Sequence, residues 1–250
     1  MVLSLFYRSM SHNLEACIIR GMKKVVLITG GSDGLGRAIA KRLSSSCVVV
    51  IMSNNGPKCL KAAAELGLTC VVGDVSDYSE VEAAIAQAIE RHGGLDVVIN
   101  CAGLWIEGEL ETNDPGDIRR VLEVNTLGTI NVSRAVIPRL VARGGGRIIN
   151  IISQAGLNAK AGRSVYNASK FALTGFTRSL ADELAVQGIG VTGIYPGKLS
   201  TGMFSKMGIN KSMDDALDPD EVARAVEMVV LAASTTQFTE IGIRSTKAKH

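Results

Sequence analysis

Short apolar runs and longer amphipathic stretches alternate along this chain through nearly its whole length. Val25–Thr29 is an unbroken aliphatic and β-branched run, and Gly36–Ser44 follows with Arg37, Lys41 and Arg42 on the wet side of a helix. Val48–Met52 and Leu68–Val72 repeat the strand pattern, each followed by a helical period, Lys58–Leu66 and Glu80–Arg91. Leu95–Ile99 is a fourth strand. A long helix is predicted from Asp117 to Arg143, with Pro115 suited to its first turn and Gly144, Gly145 and Gly146 to stop it. Arg147–Ile152 reads as a buried strand, residues 163–186 as a helix ended by Gln187-Gly188, and Ile189–Tyr195 as a sixth strand. Asp218-Pro219 opens a helix that runs to Ala232, and Thr239–Arg244 makes a terminal strand. Strand and helix alternating in this way give an α/β fold of about seven strands, a doubly wound parallel sheet with helices on both faces.

Two segments stand outside that rhythm. Residues 1–21 show no clear periodicity and are expected to be a flexible N-terminal extension to a single domain over 22–250. Residues 197–217, rich in Gly, Ser, Lys and Met, follow the end of a strand and are expected to form a substrate loop over a binding site.

Composition removes several function classes. Net charge is +3 from 27 basic and 24 acidic residues spread along the chain, so neither nucleic acid nor a membrane surface is an expected partner. No apolar run reaches the roughly eighteen residues of a membrane span. Three scattered histidines and five cysteines without a CxxC pair argue for no metal site. Cys47, Cys70 and Cys101 fall in or beside apolar runs, where a free cysteine behaves as a small hydrophobe, so a reducing, cytoplasmic setting is expected rather than a disulfide framework.

Chemistry concentrates at two places. Strand one runs straight into Thr29-Gly-Gly-Ser-Asp-Gly-Leu-Gly36 and then a helix. Gly30 permits the tight turn, Gly34 lets backbone approach a pyrophosphate, and Gly36 lets helix pack on strand, with free N–H groups and the helix dipole facing the phosphates. The second place is Tyr166-x-x-x-Lys170, with Ser153 thirteen residues before the tyrosine. Residues four apart share a helix face, so the ammonium sits beside the phenol and should pull its pKa down from near ~10 toward working range. Alone, such a pair is more often an amphipathic tyrosine beside a solvated lysine. At the end of a buried strand that also carries a serine, it becomes a group that could hold a carbonyl oxygen and move a proton.

With these pieces in order, the chain resembles the short-chain dehydrogenase/reductase family from about Lys23 to Arg244. The resemblance also rests on Asp74-Val75, Asn100-Cys-Ala-Gly103, Asn125, and Pro196-Gly197 with Thr201, and it implies a Rossmann-type fold. It implies that Tyr166 is the acid/base, that Lys170 depresses its pKa and grips the nicotinamide ribose, that Ser153 bonds the substrate oxygen, and that Asn125 holds a relay water. The dinucleotide is then expected against Gly30, Ser32, Asp33, Gly34, Leu35 and Gly36 of the loop, Ser53 and Asn54 after strand two, and Asp74 and Val75 after strand three. Asn100, Ala102 and Gly103, together with Pro196, Gly197, Leu199 and Thr201, complete that set. Cys101 replaces the usual second asparagine.

Cofactor choice is the less determined part. Strand two ends Ile51-Met-Ser-Asn-Asn55, with no acid for a ribose 2′-OH and no Arg or Lys for a 2′-phosphate, and Asp33 occupies a loop position where some NADP-using relatives carry arginine. Ser53, Asn54 and Asn55 could bond a 2′-phosphate without charge, so NADP(H) is expected, with NAD the alternative. The expected reaction moves a hydride between the nicotinamide and a small carbonyl or alcohol substrate. Trp105, Gln154, Leu157, Met203, Phe204 and Met207 are candidate pocket residues. A 3-oxoacyl-carrier-protein reductase is the alternative activity, weakened because Asn131 and Gln187 stand where docking arginines belong. A nucleotide-binding sensor without turnover is the alternative class. Apolar Val121, Leu122, Ile130, Phe171, Leu173 and Phe176 on the two long helices, and the family's habit of pairing them, predict a homodimer or homotetramer.

Overall fold

The computed structural model describes residues 23–202, 208 and 212–248. The expected N-terminal extension and the pocket candidates Met203, Phe204 and Met207 lie outside the described residues. The strands are β1 (Val25–Thr29), β2 (Val48–Ser53), β3 (Thr69–Val72), β4 (Val97–Asn100), β5 (Gly146–Ile151), β6 (Ile189–Pro196) and β7 (Glu240–Ile243). They form one sheet in the order β3-β2-β1-β4-β5-β6-β7, with every neighbouring pair parallel. The chain winds outward from β1 to β3, then crosses back to start β4 beside β1. That reversal leaves a crevice at the C-terminal ends of β1 and β4, where open α/β sheets receive ligands.

The helices are α1 (Gly34–Leu43), α2 (Gly56–Leu66), α3 (Tyr78–His92), α4 (Pro115–Leu122), α5 (Gly128–Ala142), α6 (Ser164–Ala185) and α7 (Pro219–Leu231). Two cores lie back to back across the sheet. Val25 and Leu27 of β1 face one, closed by α3, α5 and α6 through residues such as Ile85, Val136, Leu140 and Leu184. Val26 and Ile28 face the other, closed by α1, α2 and α7 through Ile39, Leu43, Val226 and Val230. Side chains alternate faces along a strand, so a sheet buried on both sides needs apolar residues at every position. That is why the strand runs were unbroken in the sequence.

Two expectations change. The long helix over 117–143 is not uniform: Glu123–Leu127 forms a π-turn between α4 and α5. Asn125 sits within it, its side chain drawn off the rod to bond the Leu104 backbone at both ends (Leu104 N to Oδ1, 2.7 Å; Nδ2 to Leu104 O, 3.0 Å). Nor are the cysteines all free. Cys59 of α2 and Cys70 of β3 form a disulfide, with Cα atoms 5.9 Å apart. The short return from α2 to β3 lays one cysteine over the other, a proximity with no motif to announce it. Among the described residues no helix is long and apolar enough to cross a membrane.

The foot of the sheet, opposite the crevice, is held by a buried cation. Arg147 at the start of β5 donates to the carbonyls of Thr236 (2.9 Å) and Ala233 (2.5 Å), while Lys24 donates to Val230 O (2.6 Å). Both cations close the C-terminal end of α7, where free carbonyls and the helix dipole favour positive charge. Arg147→Met should therefore lower unfolding free energy by about 1–3 kcal/mol through the carbonyls it strands. Urea titration should register that loss with cofactor affinity unchanged, because the residue lies at the far end of its strand from the crevice.

Candidate active site

At the crevice the chain encloses a cavity of about 1040 Å³, bounded by the glycine loop, the exits of β2 to β6 and the first turns of α6. Its size and position suit a dinucleotide with room for a second molecule. The glycine loop is tight for a reason. A Cβ on Gly36 would stand 2.3 Å from Gly30 O, and one on Gly30, which has φ +67°, would stand 2.9 Å from Ala102 Cα. Thr29 Oγ1 accepts from Cys101 N (3.0 Å) and Ala102 N (3.1 Å), clamping the exits of β1 and β4 together beneath the loop. The loop is thus packed on the β4 exit as tightly as side-chain-free residues allow, and the site fits a nicotinamide dinucleotide.

Of the residues expected to touch cofactor, the loop positions 30 and 32–36, Ser53, Asn54, Asp74, Val75, Ala102, Gly103, Pro196, Gly197, Leu199 and Thr201 all line this cavity. Asn100 does not line it. Its amide turns into the sheet and donates to Asn150 Oδ1 (2.8 Å) and Ser133 Oγ (3.3 Å), part of a buried ladder that continues from Asn150 to Thr177. Asn125 also stays behind the wall, occupied by Leu104 and Ser169. Asp74 is held down to about 2: burial would raise it, but bonds from Ser76, Arg120 and Asn54 outweigh that.

The nucleotide end holds a residue the sequence reading missed. Lys58, on the first turn of α2, reaches Asp33 Oδ2 at 2.6 Å and lines the cavity. It stands neither at the end of strand two nor in the glycine loop, the two places where a cation for a 2′-phosphate is expected. Asn55 caps α2 by accepting from Lys58 N (3.0 Å), and the helix start carries the lysine back over the strand exit. Ser32 and Ser53 bond each other beside it (3.0 Å).

At the other end, Ser153, Tyr166 and Lys170 converge on the exit of β5. Gly156 makes this approach feasible, since a Cβ there would meet Lys170 O at 2.8 Å and Ile152 Cγ2 at 2.7 Å. Asn167 ties the same loop to α6 by donating to Ala155 O (2.8 Å) and Asn158 O (3.0 Å). Ser153 is the one non-glycine among the described residues with positive φ, +150°, a conformation that costs of order 1–3 kcal/mol. Its Oγ accepts from Ala155 N (3.1 Å), and the hydroxyl acts to lower the Tyr166 pKa. Trp105 packs on Tyr166 with ring centroids 4.3 Å apart, Arg163 lies 5.1 Å over the indole, and Glu107 bonds both (Trp105 Nε1, 3.3 Å; Arg163 Nε, 3.2 Å). Trp105 and Gln154 line the cavity as expected, whereas Leu157 is partly exposed outside it.

Electrostatically, the expected lowering of the tyrosine does not appear. Burial pushes Tyr166 up to about 12, against the Ser153 hydroxyl and the Arg163 charge, which act downward. Burial also brings Lys170 down to about 8. Its ammonium lies 5.8 Å from the Tyr166 ring centroid and donates to Ile151 O (3.3 Å), so its charge is directed at the strand carbonyl rather than the phenol oxygen. At neutral pH the phenol therefore holds its proton.

The short chain dehydrogenase family model matches residues 24–212. A 3-ketodihydrosphingosine reductase of Bos taurus is 33% identical over 220 residues, which is 80% of this chain and 66% of the bovine protein. An oxidoreductase of Staphylococcus aureus is 32% identical over 88% of this chain and 96% of its own. Among solved structures, an alcohol dehydrogenase of Thermococcus sibiricus complexed with 5-hydroxy-NADP superposes with TM-score 0.83 at 27% identity, covering 91% of this chain and 99% of its own. An actinorhodin polyketide ketoreductase with NADPH gives TM-score 0.82 at 27% identity, covering 89% and 96%. The chain belongs to the short-chain dehydrogenase family, a class of NAD(P)-dependent oxidoreductases that act on CH–OH groups.

Lys170 also makes a stability statement. Its folded pKa, about 8, lies below the ordinary lysine value of 10.5, so the unfolded chain binds the proton more tightly. The cost of burying that charge is fully present below pH ~8 and disappears as pH rises to ~10.5. Lys170→Met should raise unfolding free energy by about 1–3 kcal/mol at neutral pH, with the gain shrinking toward pH ~10. Denaturant curves at the two pH values check both the sign and the trend.

Proposed function

We propose that this protein transfers a hydride between a nicotinamide cofactor and a small carbonyl or alcohol substrate, with Tyr166 as the general acid/base. The observation that carries the reading is the convergence of Ser153 with buried Tyr166 and Lys170 on the wall of one cavity, at a strand exit next to the glycine loop. The nicotinamide, when bound, supplies or accepts the hydride; the protein's part is orientation, exclusion of water and movement of one proton. Ser153 holds the substrate oxygen against the phenol. Tyr166, kept protonated by burial, donates to that oxygen as negative charge develops on it, and takes the proton back in the reverse reaction. Trp105 covers the phenol and keeps bulk water from it. Lys170 holds positive charge close to where an alkoxide would form.

Cofactor binding draws on both ends of the cavity. Lys170 serves the ribose next to the nicotinamide. At the adenosine end, Lys58 supplies a cation for a 2′-phosphate, and the two solved relatives were captured with NADP-type ligands, which together favour NADP(H). Asp33 competes for the same ammonium, so the preference is modest. Carrier-protein docking gains no support: Asn131, in place of a docking arginine, is buried and donates to Val75 O (3.0 Å). Self-pairing draws support from a shallow apolar groove between α5 and α6 that includes Ile130, Ile137, Pro138 and Phe176, and from Phe171 of α6, which is 44% exposed. Val121 and Leu173 are not part of that surface, since each is buried within its own subunit.

The test is an NADPH- and NADH-consumption screen against ketones, aldehydes and quinones. Tyr166→Phe should bind cofactor normally and lose about 10²–10⁴-fold in kcat. Turnover undiminished in that variant would remove the tyrosine from the chemistry. In the same assay Lys58→Met should reduce the NADPH:NADH ratio of kcat/KM by about three- to tenfold. An unchanged ratio would show that Lys58 does not meet the 2′-phosphate.

A further inference from the structure

The charges lining the cavity divide unevenly between its two halves. At the nucleotide end Asp33 is matched by Lys58 at 2.6 Å and Asp74 by Arg120 at 2.5 Å, leaving no excess of either sign. Around Ser153 and Tyr166 the balance differs. Lys198 is matched by Asp215, and Arg163 by Glu107 at 3.2 Å. Lys160 and Arg244 also line this half, and among the described residues neither has a carboxylate partner.

Arg244 is not loose. It follows β7, and its Nε donates to Gln154 Oε1 at 2.7 Å, while Gln154 Nε2 donates to Tyr195 O at 2.8 Å. Gln154 is the residue after Ser153, so this amide ties the guanidinium to the loop that leaves β5. One of the five guanidinium N–H donors is used in that bond; the remaining four are the fork that pairs with two oxygens of an oxyanion. A purely solvated arginine would have no need of a buttress anchored on a strand carbonyl.

We propose that the substrate half of this site is built for a carbonyl compound bearing an oxyanion, a carboxylate or phosphoryl group, gripped by Arg244 with Lys160 assisting and Gln154 as the positioning residue. This rests on the oxidoreductase reading above. It adds a recognition element distinct from Ser153, Tyr166 and Lys170, and it implies that a neutral ketone is handled as a poor version of the true substrate.

Trp105 is the chain's single tryptophan and packs on Tyr166 at 4.3 Å, so its fluorescence reports occupancy of this half without any turnover. The NADP⁺-loaded protein should be titrated with hexanoate, hexyl phosphate and methyl hexanoate. The anions should bind about tenfold more tightly than the ester, with the better of the two identifying which oxyanion is preferred. Arg244→Met should abolish most of that preference and Lys160→Met part of it, with binding of the ester and of NADP⁺ unchanged in both. Equal binding of anion and ester, no quench by any of the three, or a preference that survives both substitutions would overturn the inference. In each of those cases NADP⁺ binding and neutral-ketone turnover would leave the oxidoreductase reading standing. Failure of the wild-type protein to bind NADP⁺ would instead remove both.

Discussion

The close approach of α6 to the exit of β5 is the constraint on which the site depends. It exists because Gly156 has no side chain where Lys170 O and Ile152 would collide with one. With the helix seated that near, Tyr166 and Lys170 are carried over the strand end, and Ser153 must leave β5 at φ +150° to stay under the phenol. The strain is local and the groups around it are over-determined: Asn167 grips the loop through two carbonyls, and Thr174 Oγ1 bonds Gly156 O at 3.0 Å. A hydroxyl, a phenol and an ammonium are thus fixed by packing before any ligand arrives, which is the condition for electrostatic preorganisation.

Burial works on those groups in opposite senses. It moves Tyr166 up and Lys170 down, each toward its neutral form, because removing water penalises charge of either sign. A simple pairing of phenolate with ammonium would have moved the tyrosine the other way. The site's two halves also differ in charge. Around the glycine loop Asp33 faces Lys58 and Asp74 faces Arg120. The substrate side retains cations.

How much of this was legible in the sequence follows from which physics has a periodic or local signature. The strands were, because burial on both faces imposes unbroken apolar runs such as Val48–Met52. The glycine loop was, because Gly36 answers to a steric demand that no other residue meets. Tyr166 and Lys170 were, because four residues on a helix fix one face. What depended on three-dimensional return was not. Lys58 reaches Asp33 only because α2 doubles back over its strand, and Cys59 meets Cys70 for the same reason. Asn100 and Asn125 sit in the expected motifs, yet their amides are spent on Asn150 and on the Leu104 backbone, bonds that no spacing encodes. The tyrosine's upward shift was missed because neighbours can be counted in a sequence and desolvation cannot.

The places where local rules are broken coincide with the places where chemistry is expected. A positive-φ serine, a lysine buried without a carboxylate beside it, and a π-turn inside an otherwise regular rod are each costs that packing elsewhere must absorb. The rest of the chain supplies little frustration. Both cores are contiguous, α2, α3 and α7 are capped by Asn55, Asp77 and Asp218, and the buried Arg147 is satisfied by carbonyls. Lys170 stays in apolar surroundings at neutral pH although a neutral residue there would stabilise the fold. That cost and the strained Ser153 fall together at the crevice where the Tyr166 phenol lines the cavity.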